Sequence, residues 1–410
     1  MDGDPAVESR LDSFSLTFPL PYRVAFIIIL AVWGWGFNLH YLERLSIDVP
    51  SLIRYPQRSS PSQLSHHSST YRLATFLSGT FALSIVTFWW FTHRDPELVI
   101  YYDWVPMTYL VVLAALFALP LRRLSVSHTG RSRLLWALKR VSIGGLANAQ
   151  DGKFGDILLA DALTSYAKVL ADLFVCVCMF LARGGSATDR PDRGCGGSVI
   201  VPMVMAVPSL IRLRQCLIEY GRVRRAPFSQ SAGWGGQHLA NAAKYATAFP
   251  VIVFGAMQRR VPTEDQHFSP AGLYRAWVAS LLLNSLYSFY WDVAKDWDLT
   301  LFSSARERNS PEYPFGLRRR LLIHKPGVYY AVIVLDLVLR CTWVLKLSPQ
   351  ERIADFESSI FITQFLEVFR RWMWIFFRVE AEWLRNTSTG LGVDDILLGD
   401  YLGKYADEED

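Results

Sequence analysis

The residues with chemistry to explain are charged side chains set inside apolar stretches. In FLEVFRRWMWIFFRVEAEWL (365–384), Glu367, Arg370, Arg371, Trp374 and Arg378 fall on one face of a helix with 3.6 residues per turn. Each charge at the centre of a membrane helix costs about 2.5–3.5 kcal/mol on insertion scales, so such residues need a reason to be there. YWDVAKDWDL (290–299) sets Asp292 and Asp296 at i, i+4, again on one face. LDLVLRCTW carries Asp336, Arg340 and Trp343, DILLADALTS brings Asp161 and Ser165 followed by Asp172, and ANAAKYATAF brings Lys244.

Two kinds of chemistry fit this pattern. The charges can be interhelical ion pairs that hold a bundle together, or they can line a hydrated path. Deep charges of both signs recur along the second half of the chain, more than helix gluing alone requires. Several Arg and Lys in one route suit an oxyanion, because the guanidinium fork matches phosphate geometry and aromatic rings can wall the passage. Multiple weak sites are what permeation needs. An enzymatic reading is weaker. Asp292-x-x-x-Asp296 resembles the aspartate pairs with which membrane prenyltransferases hold magnesium diphosphate, but Asp156 and Asp161 are spaced i, i+5 and make no matching second motif. No GxSxG occurs, and the eight His are scattered mostly in loops.

The elements that must position these residues are membrane helices. The 410 residues are 51% hydrophobic and 14% aromatic, only 19% are charged, and the mean hydropathy is positive. Roughly 25% charged residues is usual for a soluble domain, so the composition excludes a soluble globule. Apolar runs of spanning length fall near 22–40, 72–92, 98–120, 155–182, 199–219, 239–257, 272–292, 327–346 and 359–380. The expected fold is all-α, a polytopic bundle of about nine transmembrane helices. Most loop Lys and Arg lie in 41–71, 121–154, 220–238, 293–326 and the tail 381–410, counted with the flanking Arg212 and Arg214, and few in the alternating loops. By the positive-inside rule the N-terminus is then luminal or outside and the C-terminus cytosolic. The Gly-rich stretch 184–197 reads as a flexible luminal loop, and the tail ending DEED as disordered. Of the five Cys, only Cys195 is in a clear loop, and no metal spacing or disulfide framework is evident.

At these same motifs the sequence resembles the EXS family, the membrane domain of eukaryotic phosphate exporters and of the shorter ER-retention-defective type. The resemblance is carried in order by ADALTS with Asp172, PSLIRLRQCLIEY, HLANAAKY, YWDVAKDWDL, YYAVIVLDLVLRCTW and LEVFRRWMWIFFRVEAEWL, with YRVAFIIIL to SLIRY upstream. It implies a bundle whose last six helices surround an anion path, with export of inorganic phosphate as the activity. Carried over residue by residue, it implies a phosphate path lined by Asp161, Lys244, Tyr245, Asp292, Asp296, Arg340, Trp343, Glu367, Arg370 and Arg371, with Arg370 and Arg371 binding phosphate and Glu367 pairing with them or gating. The chain departs from the family pattern at Ala162, Ala243 and Asp298, and in the run Glu380-Ala381-Glu382-Trp383.

The division that follows is a luminal leader at 1–21, N-terminal helices and a basic cytosolic loop at 22–154, the EXS transport domain at 155–386, and an acidic cytosolic tail at 387–410. The start close to the first span resembles the short form, without the SPX domain of the larger exporters. That form implies a Golgi membrane, cycling with the ER, where phosphate left by luminal glycosylation is returned to the cytosol, supporting glycosylation and retention of luminal ER proteins. The alternative is a sorting protein whose basic cytosolic surface, RVRR (222–225) and RRR (318–320), recruits an adaptor that recycles Golgi glycosyltransferases. The expected partners are inorganic phosphate and the lipid bilayer, with the adaptor and glycosyltransferases under the alternative. A homodimer through lipid-facing helices is compatible with such a bundle. No cofactor, metal, catalytic residue or nucleic acid is expected.

Overall fold

The computed structural model describes residues 11–55, 65–119, 128–148, 151–225, 234–258, 269–323, 325–347 and 357–389. Among them the fold is all-helical, with no strand. The principal helices are α1 (Leu20–Arg44), α2 (His66–Thr92), α3 (Trp104–Ala118), α4 (His128–Lys139), α5 (Lys153–Ser165), α6 (Ala167–Leu181), α7 (Ile200–Arg225), α8 (Gly236–Ala246), α9 (Ala248–Gln258), α10 (Pro270–Trp291), α11 (Pro326–Arg340) and α12 (Glu357–Thr389).

Local chemistry sets their ends. Proline occupies the first turn of α1, α10 and α11, where its missing N–H would have no helical partner anyway. The Ser65 hydroxyl accepts from the Ser68 amide to cap α2, and His93 ends that helix in a left-handed conformation. At Tyr166 the chain bends by 64° between α5 and α6, the geometry of a broken span or a re-entrant loop. After α10 the helix widens into a π turn over Asp292–Asp296, closed by the Trp297 amide donating to the Asp292 carbonyl at 2.8 Å. Such widened turns occur mostly as single turns and frequently at functional sites.

Helices occupy all nine apolar stretches read from the sequence. Six described helices are long and apolar enough to cross a membrane, or seven when α5 and α6 count as one span. The helices Pro270–Trp291 and Glu357–Thr389, of 22 and 33 residues, fall outside that set. Large apolar side chains such as Leu83, Val86 and Trp90 on α2 point outward at 56–74% exposure. Water would penalise so large an apolar surface, whereas lipid solvates it. The chain is a multi-span membrane protein.

Two apolar cores hold the bundle. One joins the first half of α1 to α2, α3 and α6 through Tyr22, Ile27, Leu77, Phe88 and Val175. The other joins the second half of α1 to α5, α11 and α12 through Leu42, Leu158, Tyr329 and Trp374. Helices α1 and α12 cross closely because Gly34 carries no side chain. A Cβ at this position would come within 2.8 Å of the Trp372 ring, whose Nε1 donates to the Gly34 carbonyl at 3.1 Å.

The 184–197 loop differs from its sequence reading. Cys195 forms a disulfide with Cys178 near the end of α6, and Arg193 reaches back to Glu357. The loop is therefore fastened to the bundle at two points. The leader before residue 11, residues 56–64, the 121–127 part of the basic loop and the tail from 390 lie outside the described residues.

Candidate anion pathway

The charged face of α12 meets the bundle's polar interior one turn at a time. At its centre, Arg370 donates to Glu367 Oε1 at 2.6 Å and Oε2 at 3.2 Å, to Asp336 Oδ1 at 3.3 Å and to Asp292 Oδ2 at 3.4 Å. Arg340 bonds the same two aspartates, Asp336 at 3.1 Å and Asp292 at close range. Asp292 and Asp336 are at most 1% exposed. Taking one ion out of water costs several kcal/mol even after relaxation, and only multiple short bonds of this kind offset it.

Arg371 is different. Its guanidinium is buried, donates to Ser165 Oγ at 3.0 Å and Thr164 Oγ1 at 3.1 Å, and lies 4.5 Å from the Trp374 ring. Ser165 in turn donates to Glu367 Oε1 at 2.7 Å. Among the described residues no carboxylate lies within 4 Å of Arg371. Three carboxylates and three guanidiniums therefore meet here, and one of the guanidiniums is held by neutral hydroxyls and an aromatic face. That leaves it able to take an anion without first breaking an ion pair.

Two further charged groups lie in the bundle interior. Asp161 on α5 accepts from Arg212 Nε at 2.8 Å and from the Tyr245 hydroxyl, and Arg212 also donates to Gln215 at 2.5 Å. Lys244 on α8 lies 3.7 Å from Asp296 and over the rings of Tyr245 and Trp291, at 4.6 and 5.6 Å. Asp296 also faces Arg378 at 3.8 Å, and Arg378 donates to Glu382 at 2.8 Å. The Oδ2 atom of Asp296 is buried without a hydrogen bond among the described residues. Asp161, Asp296, Arg212, Arg378 and Trp291 line a cavity of about 400 Å³, walled on its outer side by the segment 298–307.

At the opposite end of the bundle, Glu357 accepts from Arg23 at 2.7 Å and from Arg193 at 2.7 and 3.1 Å. Asp172 accepts from Gln364 at 2.6 Å and lies 3.6 Å from Arg193. This cluster ties the disulfide-bearing loop and α6 to the first turns of α12.

The structure thus gathers Asp292, Arg340, Glu367 and Arg370 into one network, links Arg371 to it through Ser165, and sets Asp161 with Tyr245 and Lys244 with Asp296 beside the cavity. Trp343 stands apart, donating to Ser285 Oγ at 3.0 Å just beyond Arg340. Asp292 and Asp296 sit on one widened turn yet serve different partners. Sequence reasoning missed Asp336, Arg212 and Arg378 as members. Asp336 and Arg378 were visible as charges within apolar runs, whereas Arg212 read as a charge flanking a span. It also left the Glu380 run unexplained: Glu380 is buried and accepts from Arg318 at 2.9 Å, the Leu322 amide at 2.8 Å and the Tyr329 hydroxyl at 2.5 Å.

Comparison with known proteins agrees with the family resemblance. The chain is 32% identical over 382 residues to Protein ERD1 homolog 1 of Schizosaccharomyces pombe, covering 92% of this chain and 94% of that protein. It is 30% identical over 315 residues to Protein ERD1 of Kluyveromyces lactis, covering 74% and 72%. It is 27% identical over 390 residues to human Solute carrier family 53 member 1, covering 92% of this chain and 51% of that longer protein. The EXS family profile matches residues 18–384, and the chain belongs to the EXS family.

Proposed function

We propose that this protein is a Golgi membrane transporter that returns inorganic phosphate, released by luminal glycosylation, to the cytosol. The observation that carries the reading is Arg371, a buried guanidinium with no carboxylate partner among the described residues, set beside the Arg340–Arg370 network and bonded to hydroxyls one turn along α5 from the cavity-lining Asp161. Relatives named as solute carriers favour transport over catalysis, and near full-length relatives named ERD1 favour the Golgi and ER system. Residues 155–386 form the transport region, in which all ten pathway residues fall, with the helices of 22–154 as its support.

Two observations support an orientation. Lys153, Lys295 and Arg385 of the basic segments line the cavity, and the Cys178–Cys195 disulfide is of a kind that persists in oxidising compartments such as the secretory lumen. The cavity then opens to the cytosol, the N-terminus and the Arg193–Glu357 cluster are luminal, and nine helices cross the membrane. Phosphate enters between the luminal ends of α6 and α12, passes Arg371 and the Arg340–Arg370 network, and leaves past Lys244 and Asp296. Carboxylates hold the guanidiniums in place and keep each anion site weak enough to release.

The sorting alternative needs free basic runs on the cytosolic face. Arg222 instead donates to the Ala147 and Leu146 carbonyls at 3.0 and 2.9 Å, and Arg318 is buried on Glu380. One arginine of each run is thus engaged within the bundle, and the sorting reading rests on the exposed Arg224, Arg225, Arg319 and Arg320. The test is release of radiolabelled phosphate from loaded Golgi vesicles of cells with and without the protein. Slower release without it is expected, and equal release overturns the reading.

A further inference from the structure

We propose that Lys168 is an additional anion-contact residue, the positive group that a small oxyanion such as phosphate meets inside the bundle before reaching Arg371. The proposal rests on the transport reading above. Lys168 lies on α6 in helical register with Asp172, Val175, Cys176 and Met179, all buried. Val177 and Leu181, which point outward, lie on other faces of the helix. Lys168 is nevertheless exposed. A lysine exposed on the inward face of its helix borders a space inside the bundle and not lipid.

That space has walls. The Gln364–Asp172 bond at 2.6 Å and the Ser165–Glu367 bond at 2.7 Å tie α12 to the broken α5–α6 span one turn above and one turn below Lys168. Glu367 keeps 35% of its side chain accessible, against 3% for Arg370. Asp172 and Glu367 are the carboxylates whose charge acts on Lys168, yet among the described residues neither comes within 4 Å and the ammonium makes no hydrogen bond. Lys168 lies ten residues before Cys178, about 15 Å along the helix axis, or roughly half the hydrocarbon thickness from the disulfide end. Ser165, which holds Arg371, is one turn further on. An anion passing Lys168 therefore meets Arg371 next.

The experiment compares phosphate uptake by proteoliposomes containing wild type, Lys168→Met and Lys168→Arg. Loss of one charged contact should raise KM about tenfold in Lys168→Met with Vmax within twofold, and Lys168→Arg should recover most of the loss. Unchanged KM in Lys168→Met, or a fall in Vmax alone that Lys168→Arg does not rescue, overturns the proposal. If wild type moves no phosphate, the transport reading itself has failed. Retention of radiolabelled phosphate by the solubilised protein then decides the site separately: weaker retention by Lys168→Met supports it, and equal retention overturns it.

Discussion

Replacing Arg370 and Arg371 by alanine separates what each guanidinium does for the fold from what it does for an anion. Arg370→Ala leaves the buried Asp292 and Asp336 to Arg340 alone and removes the cationic partner of Glu367, which keeps the Ser165 hydroxyl. Breaking a buried ion pair by deleting one partner costs about 3–5 kcal/mol. Arg371→Ala removes two bonds to hydroxyls and one ring contact and strands no carboxylate, for about 1–2 kcal/mol. A second change, Asp336→Asn on the Arg370→Ala background, removes one of the stranded charges and should restore about half of the lost stability without restoring transport. The assay is the thermal unfolding midpoint of detergent-purified protein, followed by Trp fluorescence, beside phosphate flux for each variant. The reasoning fails if Arg371→Ala is as destabilising as Arg370→Ala, or if Asp336→Asn gives no recovery.

Other consequences are as direct. Glu380→Ala should destabilise by about 3–5 kcal/mol, because Arg318 and Tyr329 both lose a buried acceptor, while Glu380→Gln should cost less; denaturation midpoints of the pair check this. Cys195→Ser opens a loop spanning a sequence separation of 17, and should lower stability by about 3 kcal/mol on the chain-entropy account. Non-reducing peptide mapping of wild type should recover residues 178 and 195 in one linked pair. Gly34→Val should disrupt the α1–α12 crossing, since even its Cβ would come within 2.8 Å of the Trp372 ring, and should reduce the yield of monodisperse protein. Asn386, which begins an Asn-Thr-Ser sequon, should carry no glycan when the protein is expressed in secretory membranes; a glycan there would reverse the orientation.

The helices and the charged face of α12 were legible in the sequence because apolar length and helical periodicity are local properties. Partnerships were not. Arg371 and Ser165 are 206 residues apart, and Arg340 and Asp292 are 48 apart, so no window of sequence contains either pair. Arg212 looked like a topology signal because charge next to an apolar run reads that way, although it points inward at Asp161. Cys178 was hidden inside an apolar run whose end is set by the turn after Leu181, and only that turn brings Cys195 back over it. Lys168 was passed over for a related reason: a lone lysine in the broken span has no partner pattern, and its meaning comes from being exposed on an otherwise buried face.

The most direct test of the account is radiolabelled phosphate flux into proteoliposomes carrying the purified wild-type protein, with Arg371→Ala and empty vesicles measured alongside. The account predicts flux above the empty control that Arg371→Ala reduces to that control while the variant remains folded. Absence of flux from folded wild-type protein under an imposed phosphate gradient, or full flux from Arg371→Ala, would contradict it.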